Sequence, residues 1–277
     1  MCFGAFCLLG VRSFAGQGRN TTEKTDALAG NLGGAPALRA TMAEPLLPLL
    51  ERTGRMVELF WEQVPSFTCT EFVTQEKLGK KGKTEYQSDS IYDYLALTRA
   101  AQEALVIEEL RLPRKIDADK PDKPALLSTN GFSTLLLIFH PLYRANYRFN
   151  VEPGGTGEKT VRVRFEHIPG ERSTSALMIR DRIYPLDLQG TAWVDPGSGE
   201  VSKISARLRV PMKDINVEDF RIDVVYKPQS FPSEPEARTL PARAVIEVHT
   251  ALQHWRNTHS YSQYKRFSVE SAERISK

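Results

Sequence analysis

The sequence predicts an α+β protein that is mainly β: a curved antiparallel sheet, or half-barrel, with two amphipathic helices on its concave face. The main observation is the alternation of apolar and polar residues over residues 147–269, which is typical of an antiparallel sheet with one solvated face. The second observation is a pair of segments with apolar residues at helical spacing, whose apolar stripes need a sheet to cover them. With 277 residues, 41% of them hydrophobic, the chain is large enough for a sizeable core.

The first 42 residues predict an export signal and a linker. Residues 1–11 are apolar or small, and residues 13–15 followed by Gly16 fit a small-x-small cleavage site, so residues 1–15 are interpreted as a signal peptide. Residues 16–42, rich in Gly, Ala, Thr and Asn, are interpreted as a flexible linker, and residues 43–277 as a single half-barrel domain. A disordered start is the alternative, because the positively charged leader of a signal is missing.

These assignments predict a periplasmic or secreted protein. The apolar stretch of about 10 residues is too short to span a bilayer, so we expect no transmembrane segment in the mature chain. Removal of the signal leaves Cys69 as the remaining cysteine, and one thiol cannot form an internal disulfide.

The first helix is expected at about residues 44–61. Its apolar residues fall on one face, Pro45 suits the first turn, and Pro65 closes the segment. A meander of strands follows: alternation begins at residue 67, a Lys/Gly turn covers residues 79–83, and further strands are expected at residues 91–97 and 105–112. Residues 113–128, rich in Pro, Lys and Asp, are interpreted as a solvated loop.

The second helix is expected to be capped by Thr129 or Asn130 and to end at Pro141. Its core-facing stripe is Phe132, Leu135, Leu136 and Phe139. The strands that follow include a hairpin whose turn, residues 195–199, contains Asp, Pro, Ser and two Gly.

Motif searches favour binding over catalysis. The glycine-rich stretch at residues 153–160 has Glu158 where a phosphate-binding loop needs Gly, so a hairpin turn is the better interpretation. His249, His254 and His259 recur every five residues, which matches neither a helix face nor a strand face, and no His-Glu-x-x-His helix is present. We therefore expect no catalytic residue, no metal site and no cofactor.

Nucleic acid is not an expected partner. The net charge is only +3, with 37 basic and 34 acidic residues, whereas nucleic-acid binding usually needs a clustered basic face. Residues 253–267 combine aromatic and basic side chains, as single-strand binders do, but a final amphipathic strand with Trp255, Tyr261 and Phe267 partly buried is favoured.

One hairpin carries a resemblance to a known family. Residues 190–204, Gly-Thr-Ala-Trp-Val-Asp-Pro-Gly-Ser-Gly-Glu-Val-Ser-Lys-Ile, resemble the tryptophan, aspartate and glycine hairpin of outer-membrane lipoprotein-sorting (LolA/LolB-like) proteins. The resemblance implies a periplasmic half-barrel whose concave apolar face, lidded by helices, holds acyl chains. The chain also looks like uncharacterised exported acidobacterial proteins in residues 253–257 and 264–268. It departs from a dedicated carrier in the loop at residues 113–128 and in the C-terminal strand.

The expected function is non-enzymatic binding of a lipid or lipidated ligand in an apolar cavity of the cell envelope. The candidate cavity residues, which also fit a simple core, are Leu50, Val57, Phe60, Leu136, Phe139, Trp193 and Ile204. One alternative is an envelope protein–protein interaction or sensor module that uses a row of exposed arginines, Arg162, Arg164, Arg207 and Arg209. A second alternative is a hydrolase with an unrecognised site.

Overall fold

The expected fold class is confirmed, because the protein is mainly β and is built on a curved, unclosed sheet of ten antiparallel strands. The computed structural model describes residues 6–9, 46–101, 104–114, 127–128, 133–152, 159–179, 182–232 and 236–267. Most of the expected signal peptide, the linker, the helix caps Thr129 and Asn130, and the glycine-rich residues 153–158 lie outside these ranges.

The expected meander and hairpins are present as strands. In chain order the strands are β1 (Phe6–Leu9), β2 (Phe67–Leu78), β3 (Thr84–Ala101), β4 (Ala104–Pro113), β5 (Leu127–Ser128), β6 (Tyr147–Glu152), β7 (Val161–His167), β8 (Ala176–Ile179), β9 (Arg182–Pro185), β10 (Leu188–Val194), β11 (Val201–Leu208), β12 (Val217–Gln229), β13 (Arg238–Thr250) and β14 (His254–Arg266).

The large sheet has the strand order β4-β3-β2-β14-β13-β12-β11-β10-β7-β6. The C-terminal strand β14 pairs with β2, so it joins the early meander β2–β4 to the later run β10–β13. After β4 the chain crosses to the opposite edge of the sheet, where β6 and β7 add to β10. A second sheet of four short strands has the order β5-β1-β8-β9.

The first helix, α1, runs over Leu46–Gln63, close to its expected bounds, and a 3-10 turn at Val64–Ser66 links it to β2. Its apolar side packs in the same core as the buried face of the large sheet. We call this covered face of the sheet the inner face, and the opposite face the outer face.

The second helix differs in type from the expectation. Ser133–Phe139 form a 3-10 helix, followed by the four-residue helix α2, Pro141–Arg144. All five residues from Leu135 to Phe139 are buried, so the segment has no solvated side to define a helical stripe. Pro141 has no N–H to donate and restarts the helix instead of extending it, and His140 caps the new helix by accepting from the Leu142 N–H.

Helix α1 is held between the β10–β11 hairpin and the 3-10 helix at Ser133–Phe139. Arg52 Nη2 donates to the Pro196 carbonyl at 3.0 Å, and Gly199, with φ of +83°, lies directly against the backbone of Arg52 and Thr53. On the other side Gly54 approaches the Phe139 carbonyl so closely that an added Cβ would lie 3.3 Å from it. Backbone contacts therefore fix the middle of α1, and its C-terminal half borders the open groove described below.

Candidate functional site

An apolar groove lies between the C-terminal half of α1 and the beginning of β13. Its volume is about 110 Å³, and its apolar lining includes Val57, Phe60, Val64, Phe67, Leu136 and Leu240. The residues that line it come from the C-terminal half of α1 through the first residue of β2, from the 3-10 helix at Ser133–Phe139, from residues 199–201 at the start of β11 and from residues 236–240. The fold therefore assembles this surface from four distant parts of the chain.

Polar residues at the rim of the groove contact one another. Thr239 Oγ1 donates to Glu200 Oε1 at 3.0 Å, and Arg238 lies 3.9 Å from Glu236. Because these polar groups have partners, the surface left for a ligand is mainly the apolar wall. On the α1 side this wall continues outwards at Leu59, a groove residue whose side chain is 43% exposed.

Three of the seven expected cavity residues, Val57, Phe60 and Leu136, line this groove. Three others, Leu50, Phe139 and Ile204, are buried in the continuous core. The seventh, Trp193, belongs neither to the groove lining nor to this core.

Trp193 lies on the outer face of the sheet. Its neighbours Ala192 and Val194 are fully buried, and alternation along β10 therefore turns position 193 outwards. The Lys203 ammonium lies 4.6 Å from the centre of the indole ring. The alternation was visible in the sequence and is the signal that places this side chain.

A cluster of charged residues is buried on the inner face of β4, β2 and β14. Glu71 accepts hydrogen bonds from Arg111 Nη2 at 3.0 Å and from His259 Nδ1 at 2.8 Å, and Arg111 Nη2 also donates to Glu109 at 3.0 Å. Glu71 is 0% exposed and His259 is 2% exposed. Sequence reasoning missed this cluster, although each residue occupies an apolar position of the strand alternation.

The environment shifts the pKa values within this cluster in opposite directions. Burial alone would raise the pKa of Glu71, but the hydrogen bonds from His259 and Arg111 outweigh it and lower this pKa to about 2. Burial lowers the pKa of His259, partly opposed by its hydrogen bond to Glu71. The resulting state is an ionised Glu71 that accepts from a neutral His259, so the imidazole carries its proton on Nδ1.

This cluster is unsuited to general acid–base chemistry in the described conformation. A catalytic carboxylate must come within hydrogen-bond reach of a substrate, whereas Glu71 is closed to solvent and already accepts from two side chains. Its arrangement resembles that of a buried structural ion pair. Removal of one partner from such a pair strongly destabilises a protein.

A second polar arrangement joins Asp187 to His167 and Arg209. His167 Nδ1 lies 3.2 Å from Asp187 Oδ1, and Arg209 Nη2 donates to Asp187 Oδ2 at 2.7 Å. Within the part of the chain that the structure describes, the buried His167 Nε2 has no hydrogen-bond partner. An Asp–His pair activates a nucleophile only when a hydroxyl or thiol contacts that nitrogen, and none does so among the described residues.

The expected row of four arginines is divided. Arg162, Arg164 and Arg207 lie on outer-face positions of β7 and β11, and Arg209, just after β11, pairs with Asp187.

Among the described residues no group of His, Cys, Asp and Glu is arranged to hold a metal ion. No helix in the described ranges is long and apolar enough to cross a membrane.

Comparison with known proteins gives distant likenesses among solved structures and none in sequence. No protein-family model matches the chain, and no curated protein matches it significantly in sequence. Among solved structures, the chain is similar to a DUF1329 family protein from Desulfovibrio piger, with 9% sequence identity and a TM-score of 0.38. The match covers 83% of this chain and 96% of that chain.

Proposed function

We propose that this protein binds a lipid, or the acyl chain of a lipidated ligand, in the groove beside α1 and catalyses no reaction. The observation that carries the proposal is the groove itself: an apolar wall beside two polar pairs, Thr239 with Glu200 and Arg238 with Glu236. Ligand sites are typically apolar clefts with few polar groups, and the burial of apolar surface supplies most of the binding free energy.

The size of the groove defines how a chain would bind. A volume of about 110 Å³ is below the roughly 300 Å³ at which pockets begin to enclose whole small molecules. The groove therefore encloses one end of an acyl chain, and the remaining methylene groups lie along the exposed surface at Leu59. A ligand held in this way keeps its polar head outside the protein.

This proposal places the protein in the cell envelope, as a half-barrel of the LolA/LolB-like kind. The support is the apolar stretch at residues 1–11, the predicted core of an export signal, and the hairpin motif at residues 190–204. The hairpin contacts α1 at Arg52 and Thr53, so the motif belongs to the structure that positions the helix beside the groove.

Binding of a 16-carbon fatty acid tests the proposal. The protein is loaded with a fluorescent probe of apolar sites, N-phenylnaphthylamine, and palmitate is titrated to displace it. We expect saturable displacement by palmitate and none by a short-chain acid such as butyrate, which buries too little apolar surface. Failure of palmitate to displace the probe, or equal displacement by butyrate, would contradict the proposal.

Two leucines of α1 provide a matched pair of variants. Leu59 and Leu47 are 43% and 45% exposed, but only Leu59 lines the groove. Leu59→Asn should weaken palmitate binding roughly tenfold, because about 1.5 kcal/mol of apolar contact is lost. Leu47→Asn should leave the affinity unchanged. Equal affinities of the two variants would show that palmitate binds outside the groove.

A further inference from the structure

A polar basin occupies the outer face of the sheet, on the side opposite the groove. Its volume is about 510 Å³, within the range of pockets that hold small molecules. Arg164 of β7, Arg207 of β11, and Trp193 of β10 stand around it, and the short side chains Thr191 and Ser205 lie between them. The basin exists because short residues at the centre are surrounded by long ones.

The register of the strands explains the floor of the basin. Arg164, Thr191, Ser205 and Asp223 are direct neighbours across β7, β10, β11 and β12, a row about 14 Å wide at the usual strand spacing. Among the described residues, neither the Thr191 nor the Ser205 hydroxyl has a hydrogen-bond partner. Two free hydroxyl groups therefore point to the same side of the sheet in adjacent positions.

Two cations of the basin, Arg164 and Arg207, have no charged partner among the residues that the structure describes. The other cations nearby do have partners. Arg221 donates to Asp219 at 2.7 Å, and Lys203 lies 4.0 Å from Asp223 and over the Trp193 ring. No carboxylate in the described part of the chain lies within 4.0 Å of the side-chain nitrogens of Arg164 or Arg207.

The free groups define the chemistry of a ligand. A guanidinium presents donors that match the oxygens of a phosphate, and hydroxyl groups add further donors to the same anion. The basin also contains two carboxylates, Glu152 and Asp223, which repel an anion but accept hydrogen bonds from hydroxyl groups. A ligand that satisfies both kinds of group carries a phosphate on one side and hydroxyl groups on the other.

We propose that the outer-face basin binds a phosphorylated, hydroxyl-bearing small molecule of the sugar phosphate class, with Arg164 and Arg207 on the phosphate and Thr191 and Ser205 donating to it. Glu152 and Asp223 accept from the ligand hydroxyls. The site lies on the other side of the sheet from the apolar groove, so it does not depend on acyl-chain binding.

Titration calorimetry of the purified full chain at low ionic strength tests this site, because salt screens an exposed charge pair. The probes are glucose 6-phosphate, inorganic phosphate and glucose, each added up to about 10 mM, ten times a Kd of about 1 mM. We expect glucose 6-phosphate to bind most tightly, inorganic phosphate more weakly, and glucose not at all within this range.

Charge reversal locates the binding. Arg164→Glu and Arg207→Glu should each weaken glucose 6-phosphate binding at least tenfold, because each removes a charge-assisted contact and adds a repulsive charge. Arg243→Glu is the matched control: Arg243 is an exposed arginine on the outer face of β13, outside the basin. It should leave the affinity unchanged.

Each other outcome overturns the proposal. The absence of binding by glucose 6-phosphate, or binding that survives both basin substitutions, excludes the basin as the site. Equal affinity for glucose 6-phosphate and inorganic phosphate removes the role of the ligand hydroxyls. An equal loss in Arg243→Glu shows general charge attraction only.

Discussion

Replacement of Arg111 by leucine should destabilise the protein strongly, and the loss of stability should be largest near neutral pH. Arg111 is the cation that contacts two buried carboxylates, Glu71 and Glu109. Removal of one partner from a buried ion pair typically costs about 3–5 kcal/mol, because the other charge remains buried without compensation. This is a large part of the roughly 5–15 kcal/mol by which a domain is stable.

The sign of the pH effect follows from the pKa of Glu71. In the folded wild-type protein this pKa is about 2, against 4.5 for an unperturbed glutamate carboxyl, so the folded state binds fewer protons than the unfolded state between these pH values. The contribution of Glu71 to stability is therefore present above pH 4.5 and is lost as the pH falls towards 2. With 1.36 kcal/mol per pH unit, the contribution is about 3 kcal/mol.

Without Arg111 the pKa of Glu71 is lowered less. Burial then raises the pKa of Glu71 relative to the wild-type protein, opposed mainly by the hydrogen bond from His259, and loss of the Arg111 charge also raises the pKa of His259. On either residue, the folded variant binds a proton more readily than the wild-type protein does. The deficit of Arg111→Leu should therefore be largest near pH 7 and should shrink as the pH is lowered to about 5.

Urea denaturation followed by the fluorescence of the three tryptophans measures both effects. Arg221→Leu is the control, because Arg221 pairs with Asp219 at the surface and exposed pairs contribute at most about 1 kcal/mol. The reasoning is refuted if Arg111→Leu loses no more than this control, or if its deficit grows as the pH falls from 7 to 5.

Three further substitutions, with Gly197→Ala as a control, test the fold that positions the groove. Gly190→Ala should lower Tm sharply or prevent folding, because the added Cβ would lie 2.1 Å from the Ser205 carbonyl; Gly197→Ala, whose nearest neighbour is 3.3 Å away, should change Tm little. Asp195→Ala should cost about 1 kcal/mol in urea denaturation, because Asp195 accepts two backbone N–H groups in the β10–β11 turn. Phe139→Ala should cost about 3–5 kcal/mol in the same assay, since its ring is fully buried in the core; wild-type stability in any of the three would contradict the packing described.

The strands and α1 were predictable because each keeps a simple period along the chain. Alternation predicted that Trp255, Tyr261 and Phe267 are partly buried: Trp255 and Tyr261 are buried in β14, whereas Phe267, just beyond the strand, is exposed. Helical spacing placed α1 within two residues of its observed bounds. The 3-10 segment at Ser133–Phe139 was harder, because a segment that is apolar on every side has no period by which to identify its helix type.

The candidate site was only partly predictable, for a different physical reason. Val57, Phe60 and Leu136 were expected at a cavity and do line the groove, but a buried apolar residue and a groove residue have the same sequence pattern. The pairing of Glu71 with Arg111 depends on strand register between β2, β3 and β4, which places residues 40 positions apart side by side. Periodicity along a strand predicts which face of the sheet a side chain lies on, but it does not predict which side chain on another strand it contacts.

The most direct test of acyl-chain binding is photocrosslinking with a palmitate analogue that carries a diazirine at its terminal carbon. Peptide mass spectrometry then identifies the residues that contact the end of the chain. The account predicts crosslinks in the C-terminal half of α1 and at the start of β13, around Val57, Phe60 and Leu240, and their loss with excess unlabelled palmitate. Crosslinks confined to the outer face, or crosslinks that excess palmitate does not remove, would contradict it.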